Sequence, residues 1–119
     1  MQRFTDLKVW QLGHALTLEV YRLTASFPQD ERFGLTSQIR RSASSVPSNI
    51  AEGSKRRSNK DYAHFLNLAE SSLAETEYHV ILSRDLKYLP APAAEALFVR
   101  IAELSRMLHA LRVKVEQSA

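Results

Sequence analysis

Hydrophobic residues recur along this chain at intervals of three and four, the spacing of one face of an α-helix, and no stretch alternates as a β-strand does. The pattern is most regular between Ala91 or Pro92 and Glu116, where apolar positions repeat as a heptad. These positions are Leu97, Ile101, Leu104, Leu108, Leu111 and Val115. The pattern predicts a long C-terminal helix with one core-facing stripe.

The N-terminal segment shows a similar period between Thr5 or Asp6 and Ala25. Thr and Asp are good N-cap residues, and Phe27 followed by Pro28 ends a helix because the residue before proline avoids the helical region. The expected inner face consists of Leu7, Trp10, Ala15, Leu18 and Tyr21, with Val20 and Leu23 on its flank.

A third helix is predicted after Ser58 or Asn59, running to about Tyr88, where Leu89-Pro90 ends it. Such a helix is roughly 43 Å long at 1.5 Å per residue. Its expected inner face consists of Tyr62, Phe65, Leu66, Ala69, Leu73, Thr76, Val80, Ser83 and Leu86. Several of these residues are small, which favours close packing of a neighbouring helix.

The second predicted helix begins near Leu35, with Gly34 or Thr36 as its N-cap, and ends near Gly53. Its apolar stripe consists of Leu35, Ile39, Ala43, Val46 and Ile50. Pro47 lies inside this pattern, where it removes a backbone donor and predicts a kink or a break. We expect nearby serine hydroxyls to bond the carbonyls that the proline frees: Ser42, Ser44, Ser45 and Ser48.

Four helices with short connections predict an all-α fold, an antiparallel up-down-up-down four-helix bundle whose second helix is kinked near Pro47. The 119 residues fit a single domain, 1–119. Hydrophobic residues make up 45% of the chain, enough for a core, and three glycines are too few for a sandwich or barrel. The absence of cysteine excludes disulfides, thiolate zinc sites and iron–sulfur clusters. No signal peptide or membrane-spanning run is visible, so we expect a cytoplasmic protein without a membrane partner.

Catalytic and metal-binding patterns are weak. Asp61 and His64 have the spacing of two metal ligands on a helix, but a di-iron bundle needs that pair twice with two further glutamates. Glu75 and His79 are read as a solvated helical pair. No nucleophile elbow surrounds any serine. The sequence therefore predicts no metal, no cofactor and no enzymatic activity; the alternative is a small enzyme or metalloprotein that uses Asp61 and His64.

Positive charge is concentrated in the first half of the chain. Residues 1–60 carry a net charge of +5, and residues 61–119 carry −2. Six basic residues are the candidate nucleic-acid contacts: Arg40, Arg41, Lys55, Arg56, Arg57 and Lys60. Neutralising phosphates releases counterions, so clustered cations favour RNA or DNA binding through the backbone. A solvated basic loop next to the C-terminus of the second helix explains the same cluster equally well.

A polar stripe follows one face of the second helix: Gln38, Arg41, Ser45, Asn49 and Glu52. Steps of three and four place these residues in a row. They either make structural hydrogen bonds or contact a neighbouring subunit or a protein partner. A protein-interaction scaffold without nucleic-acid binding is therefore the alternative function.

Two consecutive motifs carry a resemblance to a known family. They are FGLTSQIRRSA at residues 33–43 and SVPSNIAEG at residues 45–53. Leu7, Trp10, Tyr21, Phe27-Pro28, and residues 65–66 and 69–75 add to it. These residues resemble the four-helix-bundle proteins encoded in bacterial 23S ribosomal RNA intervening sequences. That family is similar to the accessory variability determinant proteins of diversity-generating retroelements.

The resemblance implies an up-down bundle that assembles as a homopentameric ring. In the retroelement relatives, a basic ring surface binds nucleic acid and the protein partners a reverse transcriptase. The residues that match the motif are Arg40, Arg41, Asn49, Glu52 and Gly53. The cluster from Lys55 to Lys60 matches only a generally basic region. The resemblance supplies no catalytic residue.

Overall fold

Each of the four amphipathic patterns forms a helix in the computed structural model, which describes residues 3–118. The helices are α1 (Lys8–Thr24), α2 (Leu35–Ser54), α3 (Asn59–Asp85) and α4 (Ala91–Gln117). No strand occurs within residues 3–118. The fold is thus all-α, as the sequence predicted.

The helices surround one shared core in a body of 45 × 24 × 20 Å. α2 packs between α1 and α3, and α4 contacts both α3 and α1, as in a four-helix bundle. The hydroxyl of Thr17 in α1 bonds the carbonyl of Ala43, and Arg40 bonds the hydroxyl of Thr24. The chain therefore runs in opposite directions in α1 and in the adjoining part of α2.

The heptad of α4 and the stripe of α2 supply about half of the buried hydrophobic residues of the core. Every member of the α4 heptad is buried except Leu111, which is half-buried. All five apolar positions of the α2 stripe are buried. The two clearest periodic signals in the sequence thus predicted the correct faces.

The inner face of α1 differs from the prediction. Leu18 and Tyr21 are 58% and 45% exposed, and the buried face holds Gly13 and Thr17 among its residues. A Cβ at Gly13 would lie 3.4 Å from Val46 Cγ1, so glycine lets α2 pack closely here. α1 thus carries two apolar rows, and the buried one consists of Val9, Leu16 and Val20 with Gly13 and Thr17 between them.

α2 is one continuous helix through Pro47, so the predicted break does not occur, and a bend there stays a prediction. Proline leaves the carbonyl of Ala43 without its usual amide donor. Thr17 of α1 donates to that carbonyl at 3.1 Å and to the carbonyl of Gly13 at 2.9 Å. The expected serine bonds form with other carbonyls: Ser42 donates to Ile39, and Ser44 to Arg41.

Two helix ends differ from the prediction. A 3-10 turn at Phe4–Asp6 precedes α1, so the helix starts later than Thr5 or Asp6. α3 ends at Asp85, because Lys87 adopts a φ of 69° and the Ser83 carbonyl accepts the next two amides. Leu86 consequently lies beyond α3 and is exposed.

The start of α3 agrees with the prediction, since the Ser58 hydroxyl accepts from the Asp61 amide at 3.1 Å.

None of the helices within residues 3–118 is sufficiently long and apolar to cross a bilayer.

Candidate nucleic-acid interface

Four exposed cations lie where α2 joins α3: Lys55, Arg56, Arg57 and Lys60, here called the basic end. Gly53 keeps this connection tight, since a Cβ there would lie 2.7 Å from Phe65 Cβ. No carboxylate within residues 3–118 forms an ion pair with any of the four. The structure thus brings four of the six predicted basic residues together and leaves their charges open to a ligand.

Two members of the basic end lie over aromatic rings. The guanidinium of Arg56 lies 4.5 Å from the centre of the Phe65 ring. The ammonium of Lys55 lies 6.0 Å from the centre of the Phe4 ring. Cation–π contacts of this kind orient a charge without neutralising it. Half-buried rings therefore hold the basic end in place while its charge stays available.

Arg40 lies apart from the basic end and binds α1. Its Nε donates to Thr24 Oγ1 at 2.8 Å, its Nη2 to the Tyr21 carbonyl at 3.3 Å, and its guanidinium lies 4.5 Å from the Tyr21 ring centre. Arg41, the next residue, is exposed, and its guanidinium makes no hydrogen bond or ion pair within the described residues. Adjacent arginines in α2 thus have different surroundings.

The polar stripe of α2 borders a groove of about 520 Å³ between α2 and α3. Gln38, Arg41 and Ser45 line this groove, together with Ser42, Ser44, Ser48, Ser72 and Glu75. Asn49 folds back and donates to the carbonyl and hydroxyl of Ser45 at 2.8 and 2.9 Å. Glu52 is exposed further along the helix. The stripe therefore combines a groove wall with a helix-internal hydrogen bond.

Hydroxyl groups join α2 and α3 beneath the groove. Ser72 donates to Ser45 at 3.0 Å, and Thr76 donates to Ser42 at 2.9 Å. The Ser42 hydroxyl also lies 3.3 Å from Nδ1 of His79. Sequence patterns predicted Thr76 as an inner residue but gave no signal for these partners, which depend on how α2 and α3 pack.

His79 is buried, with 6% exposure, rather than solvated as predicted. Burial lowers the pKa of its imidazole because it penalises the charged form, and the nearby Glu75 carboxylate partly opposes this effect. Nε2 of His79 and Oε2 of Glu75 are 4.0 Å apart, and Glu75 is mostly exposed. The neutral imidazole thus belongs to the hydroxyl layer between the helices.

Asp61 and His64 are the pair with the spacing of two metal ligands in the sequence. Both are exposed near the start of α3. No group of three His, Cys, Asp or Glu residues suitable for a metal ion occurs in the described part of the chain.

A family model described as 23S rRNA-intervening sequence protein matches residues 5–110. The chain belongs to this family. A solved structure from Bacteroides thetaiotaomicron VPI-5482, of a protein with unknown function from the S23 ribosomal protein family, matches with a TM-score of 0.79 and 23% identity. That match covers 87% of this chain and 97% of the other and shows a shared fold. No curated protein matches the chain.

Proposed function

We propose that this family member is a non-enzymatic, oligomeric helical bundle that binds the RNA or DNA backbone through its basic end. The observation that carries the proposal is the set of four exposed cations without carboxylate partners at the junction of α2 and α3. The resemblance to basic nucleic-acid-binding relatives agrees with it.

The chemistry of the basic end favours phosphate over base recognition. Arginine and lysine neutralise phosphates and release condensed counterions, a contribution that depends little on sequence. Gly53 keeps the connection tight and the Phe65 ring orients Arg56, so part of the basic end is ordered before binding. We therefore expect salt-sensitive binding with weak sequence preference.

The test compares two variants with the same loss of charge. K55A/R56A/R57A removes three charges from the basic end, and R32A/R100A/R106A removes three exposed charges elsewhere. Fluorescence anisotropy with a labelled ribosomal RNA fragment and a random duplex measures both. We expect the basic-end variant to lose at least about tenfold in affinity on both ligands and the control to lose little. Equal losses in the two variants would contradict a localised site.

The oligomeric part of the proposal rests on the outer face of α1, defined as Trp10, His14, Leu18 and Tyr21. Leu18 and Tyr21 are exposed, and the half-buried Trp10 ring stacks on His14 with centres 5.0 Å apart. Exposed large apolar side chains such as Leu18 and Tyr21 are typical of an interface. We propose that a second copy of the chain covers it, and that the ring is the pentamer that the resemblance implies.

Light scattering tests the oligomer. We expect the wild-type mass to be a multiple of the 13.5 kDa chain and Leu18→Lys to shift it toward one chain. Leu68→Lys, a change at an exposed leucine of α3, is the matched control. A wild-type protein with the mass of one chain would contradict the oligomer without affecting the basic end.

A further inference from the structure

One face of α2 connects the groove with the basic end. Positions 41, 45, 48, 52 and 55 follow steps of three and four, so they lie in a row along the helix. All are exposed or half-buried. Arg41 and Lys55 are fourteen residues apart, which corresponds to about 21 Å along the helix. A ligand bound at the basic end can therefore continue along α2 into the groove.

Arg41 lies at the far end of this row as an isolated cation. Its neighbour Arg40 uses its donors on α1, whereas the Arg41 guanidinium bonds nothing within the described residues. Guanidinium presents a planar set of donors that fits phosphate well. Arg41 thus offers a phosphate contact separate from the basic end.

The α3 wall offers a complementary group at the same level. Glu75 lines the groove, and Tyr78 follows it by three residues on the same side of α3, outside the groove lining itself. Tyr78 is 58% exposed, which leaves its ring open for stacking. Unstacked bases of a single strand stack on aromatic rings and form hydrogen bonds through their polar edges. The bases of a duplex are not available in this way.

The groove also has polar groups suited to base edges. Gln38 and the hydroxyls of Ser45 and Ser72 offer donors and acceptors. The carboxylate of Glu75 repels phosphate but accepts hydrogen bonds from base amino groups. This arrangement places bases against the groove and the backbone along Arg41.

We propose that the groove between α2 and α3 binds a single strand of nucleic acid that extends from the basic end, with a phosphate at Arg41 and a base stacked on Tyr78. This inference rests on the proposed function and specifies its ligand class. At a stacked rise of about 3.4 Å per nucleotide, 21 Å corresponds to about six nucleotides.

The test measures the affinity of single strands of 2–12 nucleotides, and of a 12-base-pair duplex, for the wild type and for R41A, Y78A and R106A. We expect wild-type affinity for single strands to rise up to about six nucleotides and then level off. R41A should level off at a shorter length, with a salt slope lower by about 0.7. Y78A should lose about fivefold or more on six nucleotides, while Y78F and the control R106A stay close to wild type.

Two results would overturn the inference in different ways. If R41A and Y78A match R106A in length dependence and salt slope while K55A/R56A/R57A loses binding, the basic end stands and the groove is free for a protein partner. If the wild type binds neither single strands nor the duplex at low salt, the proposed function and the inference both fail.

Discussion

The two sides of α3 show how differently one helix packs against its neighbours. Toward α4, the shared core is apolar, with Leu97, Leu104 and Leu108 fully buried. Toward α2, the interface holds Ser42, Thr76 and the buried His79, with a groove above them. Hydroxyl groups contribute less to stability than buried leucine. The side toward α2 therefore has hydroxyls and an imidazole where the side toward α4 has leucines.

The largest effect is expected on the apolar side. Leu104→Ala removes a fully buried side chain and leaves a cavity, so it should lower the free energy of unfolding by about 2–5 kcal/mol. Val99→Ala, at an exposed position of the same helix, should change it by less than about 0.5 kcal/mol. Urea unfolding at a fixed protein concentration measures both. Equal effects would show that the α4 heptad does not form the core.

A smaller loss is expected on the polar side. Thr76→Val keeps the shape of the side chain but removes a buried hydroxyl that bonds Ser42 and the Ser72 carbonyl. The expected cost is about 0.5–1.5 kcal/mol in urea unfolding. Ser71→Ala, at an exposed position of α3, is the control and should be nearly neutral. A neutral Thr76→Val would mean that the hydroxyl layer does not stabilise the bundle.

The polar side should also make stability depend on pH. Burial lowers the pKa of His79 below its ordinary value of 6.5, so the unfolded chain binds the proton more readily than the folded one. Stability is then fully present above pH 6.5 and falls as the pH decreases below it, by at most about 1.4 kcal/mol per pH unit. Urea unfolding at several pH values measures the slope.

His79→Gln should reduce this slope, whereas His64→Gln, at an exposed position of α3, should keep it. A wild-type slope that His79→Gln leaves unchanged would assign the pH dependence to other groups.

The smallest effect on stability is expected at Arg41. Arg41→Ala removes no bond within residues 3–118 and should change the free energy of unfolding by less than about 0.5 kcal/mol. Arg40→Ala loses its bonds to α1 and should cost about 1–3 kcal/mol. Thermal or urea unfolding distinguishes the two. A large loss of stability for Arg41→Ala would make this arginine structural and contradict its assignment as a phosphate contact.

Much of the fold could be predicted from the sequence because α2 and α4 bury regular apolar stripes. The face of α1 could not, since Gly13 and Thr17, which contact α2, interrupt its buried row of Val9, Leu16 and Val20. Leu18 and Tyr21 were predicted on the inner face because they are large and apolar, but both are exposed. An apolar row indicates burial, but the burial can occur against another chain rather than in the core.

The candidate site was predictable only in part. Four clustered cations at a helix junction are visible in the sequence, and the structure keeps them exposed together. Arg40 and Arg41 look alike in the sequence because only the position of α1 decides which of them is used in packing. His79 looked like a surface residue because its spacing from Glu75 is that of a common exposed pair.

The most direct test of the central claim is the salt dependence of binding to a labelled single strand, measured on wild type, K55A/R56A/R57A and R32A/R100A/R106A. We expect the slope of log affinity against log salt to be smaller in magnitude by about two for the basic-end variant, since three phosphate contacts at about 0.7 each disappear. The control should keep the wild-type slope. A basic-end variant with the wild-type slope and affinity would contradict the claim that this surface binds nucleic acid.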